Sequence, residues 1–185
     1  MTAEKQRLRT ELLAARRTRT PEALESARAA VRGHVLDLVG AAGIVAAYVP
    51  LRTEPGSVEL LAELTARDVQ VLVPVTLPDH DLDWAPWSST GPGDPLGCDA
   101  IGTADLVLVP ALAVASDGTR LGRGGGSYDR ALARCRPDAT LAALLFDGEL
   151  VERLPRQPWD VPVSAVVMPA RSVRLDRNTG IRFDR

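Results

Sequence analysis

Apolar positions along the chain switch between two rhythms. Over residues 3–17 they recur at helical spacing, with Leu8, Leu12 and Leu13 on one side, which predicts a first helix. Thr20-Pro21 supplies an N-cap and a first-turn proline for a second helix running to about Val39. Gly40 and Gly43 then punctuate, and Ile44–Val49 is a continuous apolar run of strand length. Pro50 to Ser57 reads as a loop, Ser57 as the cap of a helix over Val58–Arg67, and Val69–Val73 as the next strand. Residues 78–104, rich in Pro, Gly, Ser and Asp, predict an irregular excursion with room for one short strand. Leu106–Val109 returns to strand and leads into a long loop through a glycine cluster. Tyr128–Cys135 then reads as helix, and Leu141–Phe146 and Ser164–Met168 as strands. The tail SVRLDRNTGIRFD predicts a small hairpin or an extended edge, with Asn178-Thr179-Gly180 as its turn.

Buried strands alternating with helices imply a layered α/β fold with a largely parallel central sheet. No repeat or low-complexity linker interrupts the 185 residues, which predicts one domain over 1–185. Composition removes several function classes. The net charge of −2 gives no overall basic field for nucleic acid. No apolar run reaches membrane-spanning length, and MTAEKQRLRTELLAARR lacks the apolar core of a secretory signal. Cys98 and Cys135 have neither disulfide-framework nor CxxC spacing, so a reducing, cytoplasmic setting is expected. With only His34 and His80, a histidine-based metal site is disfavoured. Of the 22 basic residues only Lys5 is a lysine; base composition of the genome is one reading of that bias, and a compact ammonium suited to phosphate contacts is the other reading of the lone Lys5.

The stretch RLGRGGGSYDR, residues 120–130, carries the most chemistry. It fails as a dinucleotide fingerprint, as a Walker A loop and as a nucleophile elbow, because the required third glycine, Gly-Lys-Ser/Thr and closing glycine are each missing. Gly122, Gly124, Gly125 and Gly126 nevertheless let successive N–H groups converge on one point, and a helix starts directly behind them. Arg120 and Arg123 add forked donors suited to phosphate oxygens, so a phosphate-bearing ligand is expected. Asp129 reads two ways: as a complement to the helix N-terminus, worth about 0.3–1 kcal/mol, or as a Mg²⁺ ligand. Tyr128 reads equally as a core aromatic or a stacking one. Lys5 and Arg9 share a helix face, either simply solvated or, if the helix reaches the glycine loop, completing a polyphosphate cradle.

The run DLVLVPALAVASDGTRLGRGGGSYDRAL resembles the signature of the 5-formyltetrahydrofolate cyclo-ligase (5,10-methenyltetrahydrofolate synthetase) family. Lys5/Arg9, YVPLRTEPGS and PWDVPVSAVVMP match its other elements in order, so the resemblance spans nearly the whole chain. It implies a three-layer α/β/α fold and an ATP- and Mg²⁺-dependent cyclisation of 5-formyltetrahydrofolate to 5,10-methenyltetrahydrofolate, by a monomer acting on a small molecule. Carried over by position, Lys5 and Arg9 contact ATP phosphates, and the segment Arg120, Leu121, Gly122, Arg123, Gly124, Gly125, Gly126, Ser127, Tyr128 wraps the nucleotide. Arg120 and Arg123 offset charge on the transferring phosphoryl group, and Asp129 and Asp160 hold Mg²⁺. Glu54 binds the folate ring, with Val49, Arg123 and Gly125–Tyr128 lining the folate side.

Three segments depart from the family pattern. Ser127-Tyr128-Asp129 stands for Tyr-Tyr-Asp, Val114-Ala115 for Phe-Asp, and Pro55-Gly56-Ser57 follows Glu54. These leave room for a binding paralogue with little turnover, or for an ATP-dependent enzyme with another acceptor. A sugar-phosphate isomerase or acyl-CoA transferase-like reading rests on layered architecture alone.

Overall fold

The computed structural model describes residues 3–176 and 180–182. Helix α1 (Ala3–Arg17) buries three cations, Lys5, Arg9 and Arg16, while Leu8, Leu12 and Leu13 are half-buried. Spacings of four and seven residues put the cations on the face that Leu12 and Leu13 help to form, so the apolar stripe marks the right side of the helix but not its deepest residues. Helix α2 (Pro21–Val39) starts at Thr20, whose hydroxyl accepts the Ala23 amide, and buries Ala27, Val31, Val35 and Val39 one turn apart. Strand β1 (Ile44–Ala46) follows, then α3 (Val58–Ala66), capped by Ser57 through the Leu60 amide, and β2 (Gln70–Thr76).

The excursion after β2 is more regular than its composition predicts. It holds β3 (Leu82–Ser88), β4 (Gly91–Pro92) and a 3-10 turn over Cys98–Thr103. Leu82, Trp84 and Ala85 are buried, and Asp83 ties the segment back by accepting the Gly97 amide at 2.7 Å. Pro86 is tolerated because β3 lies near the sheet edge, where a missing donor costs little. Beyond it come β5 (Leu106–Pro110), β6 (Ala113–Ala115), β7 (Arg120–Leu121), α4 (Ser127–Leu132), β8 (Thr140–Leu144), β9 (Leu150–Val151) and β10 (Ala165–Val167). The hairpin expected at the tail is β11 (Ser172–Asp176) against β12 (Gly180–Arg182); its turn at Asn178-Thr179 lies outside the described residues.

Nine strands form one sheet in the order β12-β11-β10-β8-β5-β1-β2-β3-β4. The five from β10 to β2 run parallel, and antiparallel strands close both edges. Alternate residues of each parallel strand enter different cores. Val107 and Val109 pack with Ala46, Leu72, Ala143 and Val166, whereas Leu106 and Leu108 pack with Val31 and Val35 of α2 and Leu60, Leu61 and Leu64 of α3. Burial on both faces explains why these strands read as unbroken apolar runs. A second sheet, β7-β6-β9, stands apart and carries the glycine loop.

From β1 the chain builds outward to β2 on one side and to β5 on the other, so the sheet's switch point lies between β1 and β5. In sheets of this kind a crevice opens there, outside the carboxyl ends of the strands. The opposite, amino ends of β1 and β5 are tied by Asp105, whose carboxylate accepts the Gly43 and Ile44 amides and pairs with Arg136. These donors, the Ile44 amide foremost, hold that carboxyl below the usual carboxylate range.

Gly118 has a positional reason. Its φ is +84°, and a Cβ there would overlap the Val163 carbonyl oxygen and stand 3.2 Å from Pro162. The close approach lets the Gly118 carbonyl accept the Val163 amide at 2.9 Å, seating the segment that carries Asp160. Gly118→Ala is expected to destabilise by about 2–3 kcal/mol, from left-handed strain plus displaced backbone, seen as a lower urea midpoint at unchanged slope.

Candidate active site

A cavity of about 730 Å³ opens at the switch point. Its walls are the segment after β1, the ends of β2 and β5, the glycine loop, the N-terminal turns of α1 and the loop before β10. Four cations (Lys5, Arg9, Arg120, Arg123) and three carboxylates (Glu54, Asp129, Asp160) line it, together with Val49, the glycines Gly122, Gly124, Gly125 and Gly126, Ser127 and Tyr128. The structure therefore brings the expected site residues together on the cavity walls, Leu121 excepted. Leu121 points away: it is 1% exposed, pairs with Ala113 across β6–β7 and does not line the cavity. In a two-residue strand Arg120 and Leu121 face opposite ways, so only one of them can reach the ligand side.

The cations and acids are arranged largely as pairs. Lys5 Nζ donates to Asp160 Oδ2 at 2.8 Å, and the Gln157 amide donates to the same oxygen at 2.8 Å. Arg120 Nη2 donates to Asp129 Oδ1 at 2.8 Å, and Arg123 Nε to Glu54 Oε1 at 3.2 Å. Arg9 differs: its Nε donates to the Gly122 carbonyl at 2.9 Å, and its buried Nη1 has no partner. Arg120 Nε is likewise buried and unpartnered. Buried guanidinium N–H groups left unmet carry a desolvation cost.

The glycine loop adds backbone donors. Gly124 has φ +112° and Gly126 φ +70°, and no side chain caps α4, so the first amides of that helix have no side-chain acceptor of their own. A Cβ at Gly122 would sit 2.8 Å from Arg120 Nη1, so a side chain there would make that guanidinium shift. The Arg120 guanidinium in turn lies 5.9 Å from the centroid of the Tyr128 ring.

At the other end of the cavity Glu54 is buried, 5% exposed, and its Oε2 accepts the Leu51 amide at 2.8 Å. Two phenols flank it. Burial, reinforced by Glu54, pushes the Tyr48 hydroxyl well above the usual tyrosine range. Burial pushes Tyr128 up too, with Arg120 opposing. Both rings are neutral phenols near neutral pH, so neither supplies a base there. The rim is apolar: Val49 is 45%, Leu51 53% and Trp159 69% exposed.

Mg²⁺ usually takes one or two carboxylates and completes its shell with water and phosphate oxygens. Asp129 and Asp160 offer hard oxygen donors on the same cavity, each lending one oxygen to a neighbouring cation, and this donor set fits such an ion. Among the described residues no group of three or more His, Cys, Asp or Glu is placed to hold a metal, so the ion would need the ligand's own oxygens. No helix of the described residues is long and apolar enough to cross a membrane.

Sequence reading alone does not find Tyr48, Gln157 or Trp159, which line the cavity. Tyr48 and Trp159 stand directly beside the chosen Val49 and Asp160, so adjacency was the available signal. Arg16 leaves no such trace. Its guanidinium forms a two-pronged pair with Glu149 at 2.8 and 2.7 Å and donates to the Ala111 carbonyl at 2.7 Å, bolting α1 to the cavity floor.

The 5-formyltetrahydrofolate cyclo-ligase family profile matches residues 1–169. A 5-formyltetrahydrofolate cyclo-ligase of Mycolicibacterium smegmatis is 39% identical over 186 residues, covering 91% of this chain and 95% of the relative. Among solved structures, a 5,10-methenyltetrahydrofolate synthetase from Mycoplasma pneumoniae superposes with a TM-score of 0.76 at 18% identity, covering 89% of this chain and 98% of that one. The 5,10-methenyltetrahydrofolate synthetase of Aquifex aeolicus gives 0.71 at 22% identity, covering 98% and 96%. At these identities the structural likeness is one of fold.

Proposed function

The chain belongs to the 5-formyltetrahydrofolate cyclo-ligase family, and from that premise we propose that its cavity converts 5-formyltetrahydrofolate and ATP to 5,10-methenyltetrahydrofolate, ADP and phosphate. The observation that carries the reading is the convergence, in one cavity, of α1's cations, the glycine loop and the buried Glu54. One end suits a polyphosphate and the other a flat heterocycle with paired N–H donors.

The phosphates lie against the glycine-loop amides, Arg9 and Lys5. The formyl oxygen of the substrate attacks the γ-phosphorus as the bond to ADP breaks. N10 then attacks the activated formyl carbon, phosphate departs with the former formyl oxygen, and the proton on N10 is lost. Activation is needed because an amide-like oxygen leaves poorly, whereas phosphate leaves well. Phosphoryl transfer asks the protein for alignment and charge stabilisation rather than for a nucleophile, and the two neutral phenols are consistent with that. Arg120 and Arg123 meet the charge on the transferring group. Held by Asp129 and Asp160, Mg²⁺ would neutralise phosphate oxygens when bound. Helices on both faces of the sheet support a three-layer arrangement around this site.

Purified protein with both substrates should show an ATP-dependent rise in 5,10-methenyltetrahydrofolate absorbance. A flat trace from folded protein that still binds ATP would overturn the proposal. Glu54→Gln replaces an acceptor-only carboxylate with an amide that offers a donor where the pterin also donates. It is expected to raise KM for 5-formyltetrahydrofolate roughly 10–100-fold with little change in KM for ATP, by initial rates at varied folate and varied ATP.

A further inference from the structure

Glu54 sits on a loop that has little of its own to hold it. Between Pro50 and Pro55 the loop makes one turn, closed by the Glu54 amide on the Leu51 carbonyl at 2.9 Å and by the Leu51 amide on the Glu54 carboxylate. Leu51 and Arg52 are exposed. Yet Glu54 must meet a ligand and Arg123 at a set position, so the loop needs an external brace.

The brace comes from α2. Arg28 Nε donates to the Glu54 carbonyl at 3.1 Å, and Arg28 Nη2 to the Leu51 and Arg52 carbonyls at 3.3 and 3.0 Å. One guanidinium thus gathers three carbonyls from four consecutive residues. Its helix is a firm support, because Ala27, Val31, Val35 and Val39 are buried, the three valines in the core beneath the sheet. Arg28 follows directly on this stripe, where the helix surface emerges toward the loop. Within this loop Leu51 and Glu54 line the cavity; Arg28 does not.

We propose that Arg28 is the positioning residue for the Glu54 end of the cavity, setting affinity for the folate substrate through the loop 51–54 without touching that substrate. The proposal rests on the reading of Glu54 as the folate-binding carboxylate. A planar fork suits this task, since Nε and Nη2 reach carbonyls at two separate points in a fixed geometry, whereas an ammonium on a flexible stem would have to draw all three to one nitrogen. Half-buried on the protein surface, Arg28 can be truncated without opening the core.

The test has two arms. In amide hydrogen exchange on the ligand-free protein, Arg28→Ala is expected to speed exchange of the Leu51 and Glu54 amides at least tenfold, with α2 and α3 unchanged. In steady-state kinetics it is expected to raise KM for 5-formyltetrahydrofolate about tenfold, leaving kcat and KM for ATP within twofold. Arg28→Lys should behave like Arg28→Ala. In a Glu54→Gln background Arg28→Ala should change KM less than twofold, because its effect passes through that side chain. Unchanged exchange at Leu51 and Glu54 would overturn the proposal. So would full recovery by Arg28→Lys, which would assign the effect to charge, or an equal KM penalty in the Glu54→Gln background, which would make the role merely structural. If the wild-type protein makes no 5,10-methenyltetrahydrofolate, the substrate reading fails by itself, and the exchange arm still decides whether Arg28 holds the loop.

Discussion

Arg120→Ala is expected to lower kcat about 10³-fold while the protein remains folded. Arg120 combines burial, one ion pair and an unmet N–H: it is 8% exposed, holds Asp129 at 2.8 Å and leaves Nε without a partner. Removal of a donor aimed at developing charge in a shielded site typically costs 10²–10³ in rate, and an arginine serving a transferring phosphoryl group can be worth 10³–10⁵. The lower part of that second range applies here, because Arg9 and Arg123 remain in the same cavity. Arg120→Lys keeps the charge but cannot span Asp129 and the ligand together, so it should recover only part of the loss. Initial rates read from product absorbance, with near-UV circular dichroism to confirm the fold, decide the matter. A tenfold loss or less would move Arg120 out of the phosphoryl-transfer machinery.

Arg16→Ala should act on stability, lowering it by about 3–5 kcal/mol, the usual cost of leaving one partner of a buried ion pair uncompensated. The side chains of Arg16 and Glu149 are 1% and 7% exposed. Glu149 cannot relax into water, because it also accepts the Phe146 amide at 2.8 Å. The double replacement Arg16→Met/Glu149→Leu removes both charges and should recover much of the loss. Recovery will be incomplete, since the Phe146 amide and the Ala111 carbonyl each lose a side-chain partner. Urea titrations of the wild type, Arg16→Met, Glu149→Leu and the double variant give the coupling directly, with Arg16→Ala measured beside them. A single-variant loss under 1 kcal/mol would show that α1 is held by other contacts. Activity should fall in parallel, because the same helix delivers Lys5 and Arg9.

Much of the fold was legible because its rules are local. Thr20 and Ser57 are caps by chemistry, and each starts its helix where a hydroxyl followed by a suitable first turn predicts it. Strands buried on both faces must be apolar throughout, which made β1, β2, β5, β8 and β10 visible. Strand β3 was obscured by the Asp, Pro and Gly around it, since its pairing partner β2 and the buried Trp84, not its own composition, stabilise it. The glycine-arginine run pointed to a phosphate-bearing ligand from residue types alone, and the structure places that run on the cavity wall.

Side-chain placement was another matter. Helical spacing puts Lys5, Arg9 and Arg16 on one face, but the same spacing describes a solvated basic stripe. Burial was decided by Asp160, Gly122 and Glu149, which lie 155, 113 and 133 residues away along the chain. Leu121 belongs to the signature run yet turns into the core, because strand alternation sends it opposite to Arg120. The amino-acid sequence by itself determined most of the helices and the apolar strands of the parallel sheet, consequences of neighbours within a few residues. Which cations are buried, which acids they meet and which arginine braces Glu54 were decided only by tertiary structure, since long-range packing alone sets which distant groups lose their water together.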